Sequence, residues 1–150
     1  MSAVTAIPDL WPTTIQPHSN QVTPKAILQS QAKYLEQRTE GLIIGEVIVR
    51  TIGQRLVHDF YLRSPRLDDY RFLMFTVIQL RHELYPVGIT EEVTLYPENP
   101  AEQEEYMKKK LFGEECKDEE SFKERLRQLF LLERSVRIID SLVAQSASAE

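Results

Sequence analysis

Tyr70-Arg71-Phe72-Leu73-Met74-Phe75-Thr76-Val77-Ile78-Gln79-Leu80 is the stretch on which the fold turns. It is apolar on both parities, Phe72, Met74 and Ile78 against Leu73, Phe75 and Val77, so it fits either a buried helix or a strand covered on both sides. Its density of aromatic and β-branched residues favours the strand. So do the turn-forming residues on either side, Pro65 to Asp69 before it and Arg81-His82-Glu83 after it. A strand of this kind needs a cover on each face. Either the chain's helices reach both sides or a second copy supplies one of them.

Working towards the N-terminus, residues 56–63 alternate. Leu56, His58, Phe60 and Leu62 share one face, and Val57, Asp59, Tyr61 and Arg63 share the other, the period of a half-buried strand. Before them, residues 42–49 (Leu-Ile-Ile-Gly-Glu-Val-Ile-Val) are rich in β-branched side chains. They lead to Gly53, which can take the positive φ of a tight hairpin. Working towards the C-terminus, Tyr85, Val87 and Ile89 alternate in a fourth run over residues 85–95. Pro86 cannot donate to a ladder and marks that run as an edge strand or a bulge.

Helical signals flank this block. Thr23-Pro24 is an N-cap followed by proline at the first helical position, and Ile27, Leu28, Gln31, Tyr34 and Leu35 make a stripe that stops at Gly41. Asn99-Pro100-Ala101-Glu102 repeats the device for a second helix to about residue 112. Asp118 caps a third and longest helix, expected over residues 118–143. Its stripe of Phe122, Leu126, Leu129, Leu132, Val136, Ile139 and Val143 drifts as an ordinary α-helix does rather than holding a heptad. Phe130, Leu131, Ile138 and Leu142 widen the apolar sector beyond one contact and are candidates for binding a partner.

The order α-β-β-β-β-α-α predicts an α+β fold, a four-stranded antiparallel meander sheet flanked by one N-terminal and two C-terminal helices. Residues 1–22, with Pro8, Pro12 and Pro17, read as a flexible arm; residues 23–143 as a single domain; residues 144–150 as a disordered tail. Trp11, with Ile7 and Leu10 nearby, is the arm's conspicuous feature. Folding back on the domain, or disorder, is the ordinary expectation for such a cluster, and an interface anchor is the alternative.

The net charge of −5 argues against binding nucleic acid through phosphate neutralisation. One cysteine, Cys116, excludes an internal disulfide framework and suits a reducing, cytoplasmic setting. Residues 1–20 lack the basic and apolar regions of a secretory signal, and no apolar run nears the ~20 residues of a membrane span.

Chemical signals are sparse. There is no Gly-rich phosphate loop, no nucleophile elbow and no zinc-site spacing, so neither cofactor nor metal is expected. Asp68 and Asp69 are explained by turn chemistry, and Cys116 lacks a thiolate-stabilising neighbourhood. Two expectations follow. The first is a non-enzymatic protein-interaction module, a homodimer with scope for a further protein partner, using Trp11 and the surplus apolar residues of the third helix. The second is a hydrolase or small-ligand-binding domain whose polar site gathers Glu46, His58, Asp59 and His82. Adjacent residues on a strand point to opposite faces, so His58 and Asp59 cannot share a site unaided.

Overall fold

Helix α1 (Pro24–Arg38) begins where the Thr23 hydroxyl accepts the N–H of Ala26 at 3.0 Å, with Pro24 in the first turn, where its missing N–H costs nothing. At its far end the Thr39 hydroxyl donates to the Leu35 carbonyl at 3.0 Å and accepts the N–H of Ile43 at 3.1 Å. The chain then reverses through Glu40 and Gly41, both at positive φ. The computed structural model describes residues 6–91, 100–101 and 114–149. The helix expected from Asn99 onward lies almost wholly outside them.

Among the described residues five strands follow: β1 (Ile44–Ile52), β2 (Arg55–Ser64), β3 (Tyr70–Leu80), β4 (Val87–Thr90) and β5 (Glu114–Cys116). Helices α2 (Glu119–Leu131) and α3 (Glu133–Ser148) come after β5. The strands pair in sequence order and all antiparallel, so the α+β class with one N-terminal and two C-terminal helices holds. Gly53, at φ 58°, is the first of the two residues joining β1 to β2, as the tight turn requires.

Three differences from expectation have physical causes. Because β5 pairs with β4, setting Val87 opposite Cys116, β4 is an interior strand and not an edge. Pro86 sits just before its first residue, where no ladder N–H is missed. Secondly, the long C-terminal helix is broken at Leu132, whose φ of −58° and ψ of 138° are extended. The Ser135 hydroxyl donates to the Leu129 carbonyl at 2.8 Å, which also accepts the Leu132 N–H at 3.3 Å, so the end of α2 is held from across the break. Thirdly, residues 144–148 are helical, and Ser146 is fully buried in α3 rather than part of a tail.

The register between β2 and β3 slips between Phe60 and Tyr61. Phe60 faces Phe75 while Tyr61 faces Leu73, which makes Met74 the extra residue of a bulge. Strict alternation separates Phe72 and Met74 from Phe75 and Val77. The bulge instead brings all four into one core with Ile27, Leu28 and Ala32 of α1 and Phe122, Leu126 and Leu129 of α2. Phe60 and Phe75 stack with ring centroids 4.9 Å apart, and Phe130 closes over both at 6.4 and 6.0 Å. On the opposite face Val57 and Ile78, with Ile52, form a smaller cluster. Residues 74–79 of β3 are therefore buried on both faces, as their composition demanded.

Candidate functional site

Strand parity distributes the four candidate polar residues. His58 points with Phe60 into the helix-covered face and is 2% exposed. Glu46 and Asp59 lie on the other face, in register with Tyr61 and Ile48 respectively. His82 stands in the β3–β4 connection with its side chain 70% exposed, and its nearest acidic group is the Glu83 carboxylate at 3.8 Å. The four do not converge.

The surroundings of each give it a structural duty. His58 Nε2 lies 2.9 Å from Gln79 Oε1, while the Gln79 amide nitrogen donates to the Glu83 carbonyl at 2.8 Å. That second bond fixes the amide orientation, so Nε2 carries the imidazole hydrogen and donates it. Nδ1 has no partner among the described residues. Burial holds the His58 pKa below the ordinary histidine range, opposed by the Gln79 bond and helped by nearby Lys25. The ring is neutral at pH 7 and ties β2 to β3 and to the connection beyond.

A sign follows for stability. With its native pKa depressed, His58 refuses a proton that the unfolded chain accepts once the pH falls below about 6.5. Stability is thus lost on acidification through that point, by at most about 1.4 kcal/mol per pH unit crossed. The expected result is that His58→Gln, which preserves a donor towards Gln79, flattens the melting temperature between pH 7.5 and 5 relative to the unaltered protein. Parallel curves for the two proteins would refute the assignment.

On the other face arginine side chains engage the carboxylates. Asp59, 3% exposed, accepts Arg50 Nε at 2.7 Å, Arg50 Nη2 at 3.2 Å and the Thr76 hydroxyl at 2.9 Å. Glu46 accepts Arg71 through both oxygens at 3.1 Å and Arg63 Nε at 2.9 Å. Arg63 also reaches Asp69 at 2.8 Å, and Asp68 and Asp69 both sit at positive φ in their turn. Charge-assisted, partly bidentate pairs of this kind fix each carboxylate in place as an acceptor. Among the described residues no group of three His, Cys, Asp or Glu side chains gathers as a metal site. Cys116 is buried in β5.

The partner-binding candidates divide. Phe130 and Ile138 pack on the core and Leu142 is 6% exposed, because the break at Leu132 turns α3 back onto the sheet and uses the surplus there. Leu131, at 72%, and Trp11, at 75%, remain in solvent.

The arm adds more. Ile7, Leu10 and Ile15 are 86%, 83% and 64% exposed. They do not fold back on the domain. The arm is shaped by local turns, the Trp11 N–H donating to Asp9 Oδ1 at 2.9 Å and the Ile15 N–H to the Pro12 carbonyl at 3.1 Å. At its root the Tyr85 hydroxyl donates to the Val22 carbonyl at 3.3 Å. Burial, with Glu119 and Asp118 nearby, pushes the Tyr85 pKa up to about 12, so the hydroxyl keeps that proton throughout the ordinary range.

No family model, curated protein or solved structure matches this chain. Among the described residues no helix is long and apolar enough to cross a membrane.

Proposed function

We propose that this protein is a non-enzymatic protein-interaction module that acts as a homo-oligomer, with the N-terminal arm as one of its contact elements. The observation that carries the reading is the arm itself: Ile7, Leu10, Trp11 and Ile15 are each more than three-fifths exposed within nine residues of chain. Each such side chain gains about 1.5–3 kcal/mol when fully covered, and nothing among the described residues covers them. Tryptophan and leucine held on a turn present that area at low conformational cost. The spread of Glu46, His58, Asp59 and His82 over two faces and a turn favours this reading over a hydrolase or small-ligand site built from those residues.

Trp11 is the chain's one tryptophan, so tryptophan emission, excited beyond the tyrosine absorption band, reports on the arm. Sedimentation and fluorescence across a wide dilution series are expected to show association accompanied by a blue shift of the emission. Trp11→Ala should weaken that association by about 2 kcal/mol, roughly thirty-fold, as loss of an anchor tryptophan does. A monomer at every concentration, with the emission of a solvated indole throughout, overturns the reading.

A further inference from the structure

We infer that the outer edge of β1 is a self-pairing seam, joining two copies of the chain into one continuous ten-stranded sheet across a two-fold axis through Ile48. The inference specifies the homo-oligomer proposed above and rests on it.

The strand ends the sheet. Its nine residues pair along their whole length with β2, and among the described residues nothing pairs with its other edge. Proteins blunt exposed edges with proline, lysine or a bulge, or by keeping them short. Residues 44–52 contain neither proline nor lysine, and the sheet's bulge lies between β2 and β3. What is left is a regular row of backbone donors and acceptors, which recruits another strand.

The sequence of β1 says which strand. Apart from Gly45 opposite Thr51, Ile44-Gly45-Glu46-Val47-Ile48-Val49-Arg50-Thr51-Ile52 is a palindrome in chemical type about Ile48, with its charges reversed. Two copies paired antiparallel, with both helix layers on the same side of the joined sheet, must match residues of equal parity, so the axis passes through a residue. Placed at Ile48, it sets Ile48 against itself, Val47 against Val49, Ile44 against Ile52, and Glu46 of each copy against Arg50 of the other. An axis at Val47 or Val49 leaves both charges facing apolar residues. One at Glu46 or Arg50 opposes like charges. Only the Ile48 register pairs every residue with a compatible one, and opposite charges directly across strands stabilise where like charges destabilise.

The side chains are placed for it. Glu46 already accepts from Arg71 and Arg63, and Arg50 already binds Asp59, so a pair between Glu46 and a second copy's Arg50 links the two arginine–carboxylate arrays into one alternating series. Ile48 between them is 37% exposed, a large apolar group left in the middle of a charged face. On the helix side a groove of about 420 Å³ runs between α1 and the strand, with Gln29, Lys33 and Glu36 on its wall and Gly45 and Val47 on its floor. Lys33 and Glu36 give that flank both signs, as a surface facing its own copy requires.

The test uses the full chain in a Cys116→Ser background. Under mild oxidation Ile48→Cys is expected to form a disulfide between chains, because the axis brings that position against itself within cross-linking reach. Ile52→Cys should not, since its opposite number is Ile44. Separately, Ile48→Lys, which sets two ammonium groups together on the axis, is expected to weaken the dimer by about tenfold or more without lowering the melting temperature of the monomer. A dimer that is unchanged by Ile48→Lys and not cross-linked through Ile48→Cys overturns the seam and leaves the homo-oligomer standing. A chain that is monomeric at every concentration overturns both.

Discussion

Replacing Arg50 with alanine is expected to lower the stability of the folded chain by about 3–5 kcal/mol, the usual effect of stripping one partner from a buried ion pair. The asymmetry of the pair sets that size. The Asp59 side chain is 4% exposed and that of Arg50 is 40% exposed. Without the guanidinium, the carboxylate keeps the Thr76 hydroxyl, too little to offset the loss of water around a full charge. Asp59→Asn should cost less than half as much, because the amide oxygen still accepts from Thr76 and no full charge is left buried. Arg50→Lys should fall between, keeping the charge and losing the two-point fork. Thermal and urea denaturation of the three variants read the order directly. With about 2–4 °C per kcal/mol at this chain length, Arg50→Ala should melt roughly 6–20 °C below the unaltered protein. Equal losses for Arg50→Ala and Asp59→Asn would show that burial of the carboxylate is not the cause.

The second large effect is expected from a single methyl group. A Cβ built on Gly45 stands 2.7 Å from both the Cα and the Cβ of Ala32 and 3.2 Å from the Phe60 ring. The obstacle is the backbone of α1, which no rotamer change can move, so Gly45→Ala must lift the helix from β1. Overpacking of this sort costs about 1–3 kcal/mol. The sign is the informative part, since glycine within a strand is ordinarily the worse residue and its replacement ordinarily helps. Ala32→Gly added to Gly45→Ala should recover only part of the loss, because the main chain of α1 at residue 32 still stands in the way. A melting temperature that rises for Gly45→Ala would mean that the helix rides higher on the sheet than so close an approach implies.

Much of the architecture could be read from the chain because local and long-range demands agreed. The parity of residues 56–63, the position of Gly53 and the Thr23-Pro24 start each follow from one interaction of one residue, and each stands in the structure where it was expected. The bulge at Met74 was hidden for the opposite reason. Phe72, Leu73, Met74 and Phe75 are all apolar, so alternation carries no information about which of them is doubled. Glu114-Glu115-Cys116 has no strand propensity worth the name, and its pairing is imposed by β4. Nothing in Leu131-Leu132-Glu133 breaks a helix by itself; the break is held by the Ser135 hydroxyl and by the core that α3 turns to meet.

The candidate site divides along similar lines. That His58 and Asp59 face apart follows from adjacency on a strand, and the structure places them so. Which arginine meets which carboxylate depends on register across three strands, information no single run contains. The exposure of the arm was also beyond reach, since Ile7, Leu10 and Trp11 have the composition of a segment that tucks in and of one that does not.

The two ends of the sheet are unequal, nine residues in β1 and three in β5. Fibril growth by strand addition needs a usable template at both ends of every unit, so that each newcomer offers the next a place to bind. A three-residue strand is a poor template, and a two-fold junction at the long end uses the same patch on both molecules, leaving no copy of it exposed. A seam of the proposed kind would terminate itself, because the first addition would also remove the site for a second.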